Sequence, residues 1–326
     1  MNPTAADVRE YDRFGPWIDE VAVPEDVPKL FGSYPIDLTA TRIVLKVPRN
    51  VARRDAVAGM DLYDHLVILE EQRLTVLSRR DAKTVRGVTA GEGVGYDVRS
   101  VLVADVVAIR DDLNLLDGRL TVSSSAGTSI SFRYNGSAHD KATRFVDELR
   151  AGASARRVSS VGSALMRGGS AVTGVQAVPN PGAADTYLVS RFLKLRAGNP
   201  GLTVWTSHGR RRLAPKLGGV RGALTRASHA VSPMTLHGAA FLADATAMEL
   251  LGRRQWLARG RGPDYSTSRL VIPLGAPDTL DVSVHPVYPN VVIATIRAGG
   301  WSTEIAVPRD SDAERLLRAA SPSGRA

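Results

Sequence analysis

The chain has 326 residues, of which 44% are apolar, with 42 Lys+Arg against 33 Asp+Glu, six His and no Cys. That length and apolar content suffice for two cores, since compact domains usually hold roughly 100–200 residues. The absence of cysteine excludes disulfides, thiolate metal sites and cysteine nucleophiles, and no run of about 18 uncharged apolar residues offers a membrane-spanning helix.

The N-terminus, Met1-Asn2-Pro3-Thr4, leads into acidic residues rather than a basic and then apolar signal, so a cytoplasmic, non-secreted chain is expected. Residues 1–150 hold 20 Lys+Arg and 23 Asp+Glu, a net of −3, and residues 151–326 hold 22 and 10, a net of +12. Only six of the basic residues are lysines, and the abundance of Arg, Ala, Gly and Val is what a GC-rich genome produces, which weakens a high pI as evidence for nucleic acid.

Residues 1–39 read as an aromatic and proline-rich arm: Tyr11, Phe14, Trp17, Phe31 and Tyr34 lie among Pro16, Pro24, Pro28 and Pro35. Prolines this close preclude a long helix, so an extended arm with one short helical turn is expected. Its aromatics either fold back onto the next module or, in the case of Phe14 and Trp17, anchor a protein partner.

Residues 40–150 read as a first module of short strands. Arg42–Val47 is one, and Leu66–Leu69 with Arg73–Leu77 forms a hairpin across Glu70-Glu71-Gln72. After the glycine-rich Gly91-Glu92-Gly93-Val94-Gly95 come Val101–Val103, Val106–Ile109, Arg119–Val122 and Ser129–Tyr134, the last with a period of two that predicts one buried and one wet face. A helix capped at Ser137, with the stripe Ala142, Phe145, Val146 and Leu149, closes the module.

Residues 151–185, rich in Gly, Ser and Ala, read as a flexible linker, and residues 186–326 as a second module with a basic insertion at about 196–232. A helix is predicted at Tyr187–Leu195, stopped by Gly198-Asn199-Pro200. The element order then repeats. Ala239–Leu242 and Ala247–Leu251 match the first hairpin, and Tyr265–Ile272 corresponds to Tyr96–Val103. Val291–Ile296 and Ser302–Val307 pair across Ala298-Gly299-Gly300, and a helix with a Ser311-Asp312-Ala313-Glu314 capping box follows.

Antiparallel strands closed by one C-terminal amphipathic helix, twice over, resemble the bacterial pleckstrin-homology-like (PH-like) domain. The opening Tyr11–Glu20 and the run Leu115-Leu116-Asp117-Gly118-Arg119-Leu120 also resemble an uncharacterised actinobacterial family. The resemblance covers residues 40–150 and 235–320 and implies an α+β, mainly β fold of two partly closed antiparallel sheets, each with a helical cap. A fold that hosts lipid binders, peptide binders and structural modules implies binding without naming the ligand.

Between Glu148 and Asp244 the sole acidic residue is Asp185. The candidate polyanion contacts in the tract 191–261 are Arg210, Arg211, Arg212, Lys216, Arg221, Arg226, Arg253, Arg254 and Trp256, the indole being able to stack on a base or sit at a lipid headgroup. The alternatives are an Arg-rich solvated surface and a surface complementary to the acidic first module.

No chemistry-bearing constellation emerges. The six histidines lack metal-ligand spacing, and Asp64 and His65, adjacent on a strand, face opposite ways. The glycine run is followed by a strand rather than by the helix a phosphate cradle needs. Asp111-Asp112 with Asp117 reads as a charged turn, and the serine clusters Ser123–Ser125 and Ser159-Ser160 lack a nucleophile elbow. The expectation is a non-enzymatic binding or scaffold protein without cofactor or metal, engaging a protein partner; the alternative is recruitment to nucleic acid or an anionic membrane surface.

Overall fold

Continuous apolar runs in this sequence become strands covered on both faces, and alternating runs become strands with one wet face. The computed structural model describes residues 3–80, 95–172, 178–216, 232–260 and 265–321. The chain is mainly β, its sheets are antiparallel, and a helix closes its described C-terminal end.

Helix α1 (Ala5–Arg13), held at its start by a reciprocal Thr4–Asp7 cap, leads to the two-residue strand β1 (Asp19–Glu20). Strands β2 (Thr41–Pro48), β3 (Tyr63–Glu70), β4 (Arg73–Arg79) and β5 (Tyr96–Leu102) add to it in sequence order as the first sheet. Alternate side chains of β2–β4 point inward, among them Ile43, Leu45, Val67, Leu69 and Val76. The others, Val44, Leu66, Ile68 and Leu77, face outward and are covered by Phe14, Val21 and Phe31 of the arm. The arm thus folds back onto the first sheet, with a nine-residue helix and further short turns where one helical turn is predicted.

Strands β6 (Val106–Asn114), β7 (Asp117–Ser124) and β8 (Ser129–Asn135) follow, with helix α2 (His139–Ala153) burying Ala142, Phe145, Val146 and Leu149 as its spacing predicts. The cap differs from expectation. Asn135 Oδ1 accepts from Ser137 N at 3.0 Å, so Asn135 starts a short 3₁₀ turn and Ser137 lies inside it.

The predicted linker is largely ordered. Helix α3 (Ser160–Val172) buries Val161, Ala164 and Leu165. Its glycines are required by close packing: a Cβ at Gly168 would lie 2.8 Å from the Leu316 carbonyl, and one at Gly169 would enter the Trp205 ring. The composition that reads as flexible is that of a helix pressed against its neighbours.

Helix α4 (Tyr187–Gly198) ends at Asn199 as predicted. Then come β9 (Thr203–His208), β10 (Arg211–Leu213), β11 (Met234–Leu236), β12 (Ala239–Ala243), β13 (Ala247–Gly252), β14 (Leu257–Arg259) and β15 (Ser266–Pro273). The closing set is β16 (Thr279–Val284), β17 (Val291–Ala298), β18 (Trp301–Pro308) and helix α5 (Asp312–Ala320). Ser311 caps α5 by accepting from Glu314 N at 3.2 Å, while Glu314 reaches back to Asp310 N rather than to the cap residue, so the box is only half formed.

The two halves share one sheet. Its order, β8-β7-β6-β15-β13-β12-β9, joins three strands of the first half to four of the second, with Asp111 opposite Arg269 and Ile109 opposite Val271. One side carries the first core, continued by Val271 and Ala247 and covered by α2 and α4. The other carries Phe241, Leu250 and Ile272 under β16–β18, α3 and α5. No sheet closes into a barrel among the described residues. With β1 of the arm and the small sheet β10-β11-β14 set aside, each half runs four antiparallel strands, three antiparallel strands and a helix, and β5 and β15, equated from sequence, are the fourth strands of those sets.

Candidate functional site

A groove of about 740 Å³ runs between β8 and the ends of β2 and β3. Pro16, Pro48, Asn50, His65 and Leu116 line it, as does every residue from Ser131 to Asn135. Side chains on a strand alternate sides, so five consecutive lining residues mean that the groove follows the strand's edge. β8 is terminal in its sheet, with no strand beyond it among the described residues. Such an edge is a template for a further strand.

The β6–β7 hairpin stands at one end of the groove. Asn114 pairs with Asp117, so the turn consists of Leu115 and Leu116 alone. Leu115 has φ 54°, in the left-handed region where a side chain costs about 1–2 kcal/mol and Gly or Asn is favoured. Leu115 and Leu116 are 66% and 65% exposed. Trp17, next to the groove residue Pro16, is 54% exposed.

Three of the polar wall groups are held by partners. His65 Nδ1 is 2.9 Å from Ser78 Oγ, with burial holding its pKa below the usual range; Asp64 pairs with Arg79 at 2.9 Å, and Asp117 with Arg133 at 2.8 Å. The first two partnerships place Asp64 and His65 in separate contacts, as their opposite directions on β3 require. Among the described residues no three His, Asp or Glu side chains are grouped to hold a metal ion.

The residues singled out from sequence separate. Trp17 is exposed, but Phe14 is buried edge-on against Tyr63 with ring centroids 6.1 Å apart, so it is a core residue rather than a partner anchor. Arg253 is likewise not a surface cation. It is buried, donates to Asp185 Oδ1 from Nε at 3.1 Å and from a terminal nitrogen at 2.9 Å, donates to the Ser266 carbonyl, and stacks on Tyr187 at 4.2 Å. Trp256 is half-buried, packed over Gly252 and between two apolar clusters. Arg210, Arg211, Arg212, Lys216 and Arg254 are exposed, Arg210 lying 3.1 Å from His237 Nδ1. Arg221 and Arg226 lie outside the described residues, as does Gly91–Val94 of the glycine run.

Two arginines flanking the basic tract are consumed where the halves meet. Arg150 on α2 pairs with Asp244 and, at 2.8 Å, with Glu249; Arg269 on β15 pairs with Glu249 at 2.8 Å and with Asp147 at 2.7 Å. Asp111, read as part of a charged turn, instead sits inside β6 at 2% exposure and accepts from the Tyr134 hydroxyl at 2.5 Å. Burial pushes its pKa up, with Tyr134, Arg191 and Arg269 opposing. His139 Nε2 contacts the Arg191 guanidinium and must therefore accept, which leaves the proton on Nδ1, facing the Tyr134 oxygen at 3.2 Å. Burial, reinforced by Arg191, pushes His139 down to about 4.

These ionic contacts were not legible because most of the partners lie far apart along the chain, as Arg150 does from Asp244 and Arg269 from Asp147. The hairpin Leu115-Leu116 did carry a signal, two leucines between turn-forming Asn114 and Asp117. Comparison with protein-family models, curated proteins and solved structures found no match.

Proposed function

We propose that the protein is a non-enzymatic binding protein whose two halves are PH-like modules fused through one sheet, and that it takes an extended segment of a protein partner along the β8 edge. The twice-occurring order of four strands, three strands and a helix supports the PH-like reading. The observation that carries the binding site is the strained, exposed Leu115-Leu116 turn beside an unpaired edge: a conformation that costs stability and displays apolar surface persists where something else selects it. An added strand would gain main-chain hydrogen bonds from β8 and apolar contacts from Leu116, Pro16 and Trp17.

The test is selection of displayed peptides on the full chain, followed by amide exchange. Enriched peptides should protect residues 129–135 and lose binding to Trp17→Ala and Leu116→Asp chains. Peptides that protect another region, or bind these variants unchanged, would refute the site.

The second reading, recruitment to nucleic acid or an anionic membrane, is supported by the run of exposed cations Arg210, Arg211, Arg212 and Lys216, none with a carboxylate partner among the described residues. It requires steeply salt-dependent association that the triple reversal of Arg210, Arg211 and Arg212 to Glu abolishes. No helix of the described residues is long and apolar enough to cross a membrane, so contact with a bilayer through these cations would be at its surface.

A further inference from the structure

The face of β6 and β7 opposite the first core is polar, and the shared sheet carries it directly into the apolar floor of the second half. Ala108, Arg110 and Asp112 alternate along β6, with Ser123, Thr121 and Arg119 opposite them on β7. Next to them on β15, Leu270 stands opposite Arg110. The sheet β16–β18 covers the second half and ends over this boundary, so Trp301, Ser302 and Thr303 of β18 form a wall above the polar floor. Arg254 and Gln255 close another side, leaving a cleft of about 380 Å³.

Three arginines therefore converge on one cleft against a single carboxylate, Asp112. Arg119 and Arg254 are exposed and make no ion pair among the described residues. Arg110 Nε is buried without a hydrogen-bond partner, and at 3.9 Å from Asp112 Oδ1 it is too far to donate to it. A buried donor left unmade costs on the order of 1–3 kcal/mol, and an acceptor bound in the cleft would relieve that cost. Guanidinium groups favour planar, multiply accepting oxyanions, and the hydroxyls of Thr121, Ser123, Ser302 and Thr303 add neutral donors. The volume is at the lower end of that of small-molecule sites, roughly 300–1,000 Å³, and is too small for a folded partner.

We propose that this junctional cleft binds the phosphoryl group of a small phosphorylated molecule, with Arg110, Arg119 and Arg254 as its charge partners. The site needs both halves, because Arg110 and Arg119 come from the first and Arg254 and the Trp301 wall from the second. It shares Arg119 with the lining of the β8 groove and has no residue in common with the Arg210–Arg212 surface.

The experiment is calorimetric titration of the full chain at low salt with inorganic phosphate and, separately, with adenosine monophosphate, while tryptophan fluorescence is followed. Arg119→Gln and Arg254→Gln should each weaken binding about tenfold or more, the loss expected for one hydrogen-bonded charge, at unchanged melting temperature. Arg99→Gln on β5 and the triple Arg210, Arg211 and Arg212 reversal should leave it intact. Tighter binding of the nucleotide, with quenching that vanishes in Trp301→Phe, identifies an organic monoester; equal binding without quenching identifies free phosphate. Absence of binding by either probe in the millimolar range, or binding that Arg119→Gln and Arg254→Gln leave unchanged, overturns the proposal.

Discussion

The two four-stranded segments are each covered on a second face, but by different means. In the second half the cover is helix α4, whose Leu188, Phe192 and Leu195 lie on Val204, Ala240 and Leu242. In the first half it is the irregular arm, whose Phe14, Val21 and Phe31 lie on Val44, Leu66 and Ile68. Both covers are apolar and both present fully buried phenylalanines, Phe192 and Phe31. A segment of short, dissimilar elements can therefore be as much a part of the core as a helix. The arm is an integral layer from which the Trp17 ring projects.

The largest expected effects come from the ionic contacts between the halves. Glu249→Ala leaves Arg150 and Arg269 buried around an absent carboxylate and should cost about 3–5 kcal/mol in chemical denaturation, with both halves melting together. A small loss, or two separated transitions, would mean that the halves are independent units. Phe31→Ala and Phe192→Ala should each cost about 3–5 kcal/mol, because each removes a fully buried ring. If Phe31→Ala cost much less, the arm would be a detachable element and the equivalence of the two covers would fail.

A smaller effect is expected from pH. His139 and His208 are both pushed down to about 4 by burial, so between their ordinary value near 6.5 and that value the unfolded chain binds more protons than the native one. Stability should accordingly be full above pH 6.5 and fall as pH drops toward 4, by on the order of 1–3 kcal/mol per histidine. The pH slope of the melting temperature, measured with and without His139→Gln, checks this. Replacement of Gly168 by Ala, which brings a methyl group to 2.8 Å from the Leu316 carbonyl, should cost about 1–3 kcal/mol. Least of all, Trp17→Ala should change stability by less than about 0.5 kcal/mol, since its side chain is more than half exposed.

The periodic elements were legible in part: the hairpins β3–β4, β12–β13 and β17–β18, the stripe of α2 and the stop of α4 follow from local pattern, whereas β9, β10, β11 and β14 do not stand out. What escaped was set by long-range packing. Helix α3 is written in Gly, Ala and Ser because it lies close to α5 and Trp205, and that composition is indistinguishable from a linker until the neighbours are known. The fate of the arginines escaped for a related reason. Arg253 and Arg254 are adjacent in sequence, yet one is sealed against Asp185 and the other is open to the solvent. Nothing local separates a paired arginine from a free one when the pairing carboxylate lies far along the chain.

The shared sheet also bears on the order in which the chain can be completed during synthesis. The first half has all of its own strands once α2 has emerged, but the flank of β6 is satisfied only when β15 follows, after most of the second half has been made. Until then the nascent chain carries unpaired backbone donors and acceptors on both β6 and β8, and strands exposed in this way recruit other chains. The interval before β15 arrives is thus the time at which this protein is most exposed to misassembly, and the pairing that ends it also joins the two halves into one folding unit.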